Sequence, residues 1–369
     1  MSANDALHIA VLPGDGIGPE VMDPTLEILR KIEKTSDLKF RFTDAPAGAN
    51  NYVATGKSMP ESTIRLCDEA DAILLGACGL PSVRYPDNTE IMPQVELRFH
   101  FDLYAGVRPA RLIPGVPSPI VGADQRGIDL VVIRESTEGL FASMGKGVVT
   151  DTEARETLVI TRKTSERLFE FSFRLAERRK ARGRANGGLT CVDKANVFKA
   201  FAFFREMFDD AAKRHPDVRY DPQLIDATYA LLISSGGDAM VIPTLNRDGD
   251  CMSDLVMQLF GSIAGAESVL LAFDASFKPS VVMAEAPHGT APRLFGKNVA
   301  NPMAMILACA ALLSYIDDLR AARASRALYE AVLETVRGGL ATSDLGGHAS
   351  TSEFTDAVIE NVRVKLTLA

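Results

Sequence analysis

Residues 7–20 read "LHIAVLPGDGIGPE". The short apolar run at 7–12 reads as a β-strand. Glycines at 14, 16 and 18 follow as a turn, and "EVMDPTLEILRKI" (20–32) carries a helical pattern. A strand that passes through a glycine turn into a helix opens an α/β chain. Such glycines let a ligand approach the backbone, and a helix N-terminus favours anions. The turn is nevertheless not the Rossmann fingerprint. Pro19 stands where G-x-G-x-x-G needs its third glycine, and no acidic residue at the right distance ends a second strand.

The same rhythm continues outward. "DAILLG" (71–76), "IDLVVIRE" (128–135), "GLTCVD" (188–193) and "DAMVIPT" (238–244) are further apolar strands, with helical patterns between them. Alternation of this kind predicts a mainly parallel sheet. "MAMILACAALL" (303–313) is too short to span a bilayer and reads as a buried core helix, with Asn301 as N-cap and Pro302 as first helical residue. The basic run "RRKARGR" (178–184) reads as a helix C-terminus. Residues 141–161 break the rhythm and read either as an exposed arm that pairs with a second chain or as a plain surface hairpin.

A chain of 369 residues suggests two domains or one large α/β unit. It is 47% hydrophobic and 24% charged, ordinary for a soluble globular protein. The net charge of −8 speaks against a nucleic-acid surface. The five cysteines form no C-x-x-C pair, so neither a zinc site nor a disulfide framework is indicated. Free thiols and no signal peptide point to the cytoplasm, with no membrane partner.

Chemistry concentrates in a few places. In "NRDGDCMSDL" (246–255), Asp250 and Asp254 are one helical turn apart and leave the same face. Like charges at that spacing repel by roughly a few tenths of a kcal/mol, so the pair suggests a shared cation. Acids suiting a helix N-terminus are the plainer reading. The stretch is no EF-hand: from Asn246, the glycine position holds Cys251 and the final glutamate position holds Met257. Asp226 reads as ordinary helix capping unless it joins that pair. Arg98, Arg108 and Arg134 suit a substrate carboxylate, because guanidinium forks match its geometry; surface ion pairs are the alternative. Lys194, just after a strand, is either a base of lowered pKa or a solvated lysine.

The ordered set "LPGDGIGPEV", "AILLGACG", "LRFHFDLYAGVRPAR", "VIRESTEG", "VDKANV", "DGDCMSDL" and "EAPHGTAPRLFGKNVANP" resembles the β-decarboxylating dehydrogenases. That family comprises isopropylmalate, isocitrate, homoisocitrate and tartrate/D-malate dehydrogenases, and the resemblance covers nearly the whole chain. It implies an isopropylmalate dehydrogenase-like fold: two α/β domains flank a cleft, with a non-Rossmann cofactor site. Residues 1–103 plus 262–369 would bind the cofactor. Residues 104–261 would carry dimerisation, metal and substrate, with 141–161 as the intersubunit arm of an obligatory homodimer.

The resemblance also implies roles. Asp250 and Asp254, with Asp226 from the other subunit, would hold Mg²⁺ or Mn²⁺. Lys194, also from the partner, would be the base at C2 of a (2R)-malate-type hydroxy acid, and Arg98, Arg108 and Arg134 the clamp on its carboxylates. NAD or NADP would lie along His288, Gly289, Thr290 and Ala291, reaching Arg293 and Asn301. Arg293 replaces the aspartate usual in NAD-dependent members, a slight lean to NADP.

Two departures stand out. Phe141 replaces the family tyrosine that protonates C3, and it retains the ring without the donor. Water or another group could then protonate C3, decarboxylation could be poor, or the chain could be a silent dimeric ligand-binding homologue. Gln94 and Val95 replace two leucines of the isopropylmalate enzymes. A polar Gln94 favours a small or polar C3 substituent, as in D-malate or tartrate, with 3-isopropylmalate as the alternative.

Overall fold

The protein is described from a computed structural model covering residues 6–123, 128–183, 188–236 and 240–368. Arg184 of the basic run, residues 238–239 of a predicted strand, and residues 1–5 and 369 of the expected cofactor domain lie outside these.

Ten strands form one sheet: β1 (Leu7–Leu12), β2 (Phe40–Asp44), β3 (Ala72–Leu75), β4 (Ala105–Arg111), β5 (Asp129–Glu135), β8 (Val192–Asp193), β9 (Gln223–Leu224), β10 (Val241–Thr244), β11 (Ser268–Phe273) and β12 (Pro279–Glu285). Two further strands, β6 (Val148–Val149) and β7 (Ala154–Arg155), pair with each other. The order is β2-β1-β3-β12-β11-β4-β5-β10-β8-β9. Pairings are parallel from β2 to β12 and from β5 to β9. Between them, β12-β11-β4-β5 is antiparallel. The sheet is therefore mixed: two parallel arms meet at an antiparallel seam. The boundaries expected after residues 103 and 261 fall between β11 and β4.

β1 is buried at all six positions, as a near-continuous apolar run should be when both faces are covered. The helix Met303–Ser314 is buried at every position but the last, as expected of a core helix. Asn301 Oδ1 accepts from the Met303 amide at 3.0 Å and so caps it. The basic run closes the helix Arg162–Ala181, followed by Gly183 at φ +75°. Residues 148–155 form a hairpin whose Val148 and Val149 are exposed.

The glycine turn behaves differently from expectation. A Cβ on Gly14 would lie 2.1 Å from the Ala77 carbonyl oxygen, and one on Gly16 would lie 2.1 Å from that of Thr290. The close approach is to the chain's own backbone, not to a ligand. Asp15 between them is fully buried, and its carboxylate accepts from the amides of Ala49 (2.7 Å), Asn50 (2.8 Å) and Gly79 (2.8 Å). Asp15→Ala strands these amides and should destabilise the fold by about 3–5 kcal/mol in chemical denaturation. A loss below about 1 kcal/mol would mean water replaces the carboxylate.

Candidate active site

A cavity of about 510 Å³ opens at the seam, beside the carboxyl ends of β3, β12 and β5. Ligands of open α/β sheets bind at such ends. Its walls bring together Gln94, Val95, Arg98, Arg108, Arg134, Phe141, Asp250, Asp254, His288 and Gly289, all singled out from the sequence.

Each side chain is placed by its element. Arg98 lies in the last turn of the helix Pro93–His100, Arg108 within β4 and Arg134 near the end of β5. All three are buried. The helix Asn246–Leu259 crosses beneath them, and Gly249 makes this possible, since a Cβ there would meet Thr244 Oγ1 at 2.6 Å and Arg134 Cβ at 3.0 Å. Arg134 Nη2 donates to Asn246 Oδ1 at 2.8 Å, and Arg108 Nη1 to Ser253 Oγ at 2.7 Å. Arg108 Nη1 also donates to Asp250 Oδ1 at 3.0 Å, and Arg134 Nη1 bonds the same oxygen. Arg98 Nη2 donates to Glu285 Oε1 at 3.2 Å.

These guanidiniums are not satisfied. The Nε atoms of Arg98, Arg108 and Arg134 are buried without a hydrogen-bond partner. Burial, then the facing charges of Arg108 and Arg98, lowers the Arg134 pKa to about 9. Anions entering the cavity would relieve the crowded charge.

Asp250 and Asp254 line the cavity one turn apart, as their spacing predicts. Burial raises the Asp254 carboxyl above its ordinary range, against the pull of Arg108. Two carboxylates beside a cavity suit a hard divalent cation that takes its other oxygens from substrate and water. Among the described residues of one chain, no group of three His, Cys, Asp or Glu is arranged to hold a metal. Asp226 is elsewhere: it pairs with Lys194 Nζ at 2.8 Å, and neither lines the cavity. That hydrogen bond from Lys194 lowers the Asp226 pKa.

The cofactor residues divide. His288 Nδ1 lies 3.0 Å from the Gly289 carbonyl, which assigns the proton to Nδ1 and makes Nε2 a buried acceptor without a partner. Burial lowers the His288 pKa. Gly289 faces open space where a Cβ would be. Thr290 is buried, its carbonyl accepting from Ile17 at 2.8 Å. Ala291 is left-handed at φ +35° and leads into an exposed loop containing Arg293. Asn301 is already engaged, donating to Asp344 Oδ2 at 3.1 Å besides capping its helix. Gly289, with open space at its Cβ position on the cavity wall, leaves room for a dinucleotide.

Sequence reasoning missed Asn246, Ser253 and Glu285, the partners of the three arginines. The first two lie four before and three after Asp250 on its own helix face, a spacing that could have found them.

A family model described as isocitrate/isopropylmalate dehydrogenase matches residues 8–358. The 3-isopropylmalate dehydrogenase of Lactococcus lactis is 34% identical, covering 96% of this chain and 98% of that protein. The 3-isopropylmalate/3-methylmalate dehydrogenase of Methanocaldococcus jannaschii is 35% identical over the same shares. Among solved structures, an isocitrate dehydrogenase from Methylococcus capsulatus superposes with TM-score 0.83 at 30% identity, covering 96% of this chain and 99% of the other. A β-decarboxylating dehydrogenase from Thermococcus kodakarensis gives 0.75 at 31%, covering 96% of each.

Proposed function

The chain belongs to the isocitrate/isopropylmalate dehydrogenase family of NAD(P)-dependent β-decarboxylating enzymes, and on that premise we propose that it oxidises and decarboxylates a 3-alkylmalate, 3-isopropylmalate first. One observation carries the general reading: three buried, incompletely bonded guanidiniums converge on a cavity with two aspartates one turn apart. The substrate follows the names of the relatives, which move 3-isopropylmalate ahead of the malate or tartrate expected from Gln94. That second reading keeps one support, since Gln94 Oε1 is buried on the cavity wall without a partner.

Arg98, Arg108 and Arg134 hold the substrate carboxylates and so fix C2 against the nicotinamide. Asp250 and Asp254 would hold a divalent cation, which would supply Lewis-acid polarisation, and His288 and Gly289 would hold a dinucleotide, which would supply the hydride acceptor. Lys194 of the partner subunit takes the C2 hydroxyl proton, Asp226 of the partner subunit completing the metal ligands. The elements carrying these two residues expose the apolar side chains of Val197, Phe198, Leu231 and Ile233, which a second copy could cover. Residues 1–103 with 262–369 form the cofactor half and 104–261 the dimerising half. Arg293, exposed and in no ion pair among the described residues, favours NADP over NAD. Retention of Lys194 and all three aspartates favours an enzyme over a silent homologue. Free thiols agree with a cytoplasmic site.

The test follows reduced nicotinamide and CO2 together, with Mn²⁺ and either NAD⁺ or NADP⁺. 3-Isopropylmalate should exceed (2R)-malate and tartrate by about 10-fold or more in kcat/KM. A faster reaction with (2R)-malate or tartrate would establish the polar reading. No reduced cofactor from any acid, isocitrate included, would remove the catalytic one.

A further inference from the structure

We propose that Asp250 is an internal competitor for the substrate, resting on the same guanidiniums that a substrate carboxylate needs. This rests on the reading of Arg108 and Arg134 as carboxylate clamps. One oxygen, Asp250 Oδ1, accepts from Arg108 Nη1 at 3.0 Å and also from Arg134 Nη1. The geometry is that of a carboxylate held between two charge-assisted donors. The two arginine side chains are only 6% and 5% exposed, whereas that of Asp250 is 49% exposed. The arginines are thus enclosed and the aspartate is the member open to solvent. Asn246 and Ser253 hold the arginines from the same helix face. Releasing Asp250 therefore need not release the clamp.

Asp254, one turn on, forms no ion pair with either arginine among the described residues, although it lines the same cavity. The two aspartates are therefore not equivalent. Asp250 faces a choice between the arginines and a cation, whereas Asp254 feels Arg108 and Arg134 only beyond bonding distance. A cation that draws Asp250 toward itself frees two donors for the substrate. Metal and carboxylate then bind cooperatively through one side chain as well as through direct contact, and by linkage each tightens the other equally.

The test measures (2R)-malate binding by titration calorimetry, with chelator present and no dinucleotide, so that neither metal nor turnover contributes. Asp250→Asn should bind (2R)-malate about 10-fold or more tighter than the parent, since the competing charge is gone. Asp254→Asn removes the same charge from the same face and should gain less than about 3-fold. Equal gains would reduce the effect to general electrostatics and overturn the proposal, as would no gain in Asp250→Asn. Arg134→Gln separates the two levels. If it leaves (2R)-malate binding unchanged, the clamp reading itself fails. If it abolishes binding while Asp250→Asn gives no gain, the clamp stands and the competitor does not. Circular dichroism and melting of each variant confirm that the comparison is between folded proteins.

Discussion

Lys194→Met should bind dinucleotide and dicarboxylate normally yet turn over about 10²–10⁴-fold more slowly, the range lost with a general base. The unusual feature is where the lysine sits. Lys194 pairs with Asp226 at 2.8 Å and lines no part of its own chain's cavity. A base that serves the reaction from there must serve another subunit's cavity. The consequence is complementation. On the proposed roles, Lys194→Met lacks the base and Asp254→Asn a cation ligand, so each homodimer should keep at most about 1% of parental activity. Mixed dimers rebuild one site, pairing the intact cavity of the first variant with the intact lysine of the second. Random reassociation makes half the dimers mixed, with one good site in two, so about one quarter of parental activity should return. A mixture no more active than its parents would place Lys194 and the cavity in functionally separate regions, and the shared-site dimer would be abandoned.

Legibility in the sequence followed the physics of each element. β1 and β5 were readable because strands buried on both faces are apolar runs. β4 was not, because "AGVRPAR" carries three polar or ring-constrained positions. Pro109 lies past the last residue of β4 that pairs with β11, where a missing N–H costs little. β2 is an edge strand with a half-exposed pattern and gave no run at all. The antiparallel seam escaped for a different reason, since β4 and β11 are far apart in the chain and no local pattern encodes their meeting. Within the site, the aspartates were legible through helical spacing. Convergence of Arg98, Arg108 and Arg134 needed the fold, because each belongs to a different element. Glu285, on which Arg98 rests, sits at a strand end where no spacing marks it. The glycine turn was misread because sequence shows where backbone can be approached closely, but not by what.

Phe141→Tyr should raise CO2-forming turnover by about 10–10²-fold with KM little changed, since it places a proton donor on a ring that lines the cavity. Phe141 opens the short 3-10 turn Phe141–Ser143 and lines the cavity with Arg134 and Asp250. Its position is well held. Gly139 and Val159 pair as an isolated bridge, Ser143 Oγ donates to the Thr157 carbonyl at 2.6 Å, and Glu138 accepts from the Thr161 amide at 2.8 Å. A hydroxyl added to that ring should therefore enter the cavity rather than escape from it, and should find water or substrate as its partner. Loss of CO2 leaves an electron pair at C3 that must take a proton before product can leave. Without a positioned acid, solvent must deliver it, and that step becomes slow. The variant should then lose further rate above pH about 10, where a tyrosine surrenders its proton, beyond the loss that parent and variant share as pH passes the lowered pKa of Arg134, about 9. If turnover and pH profile both stay unchanged, hydride transfer or release limits the reaction, and the ring at position 141 serves only to keep water from the cleft. A fall in rate would carry the opposite lesson, that the cavity is shaped around Phe141 and that its proton already arrives by another route.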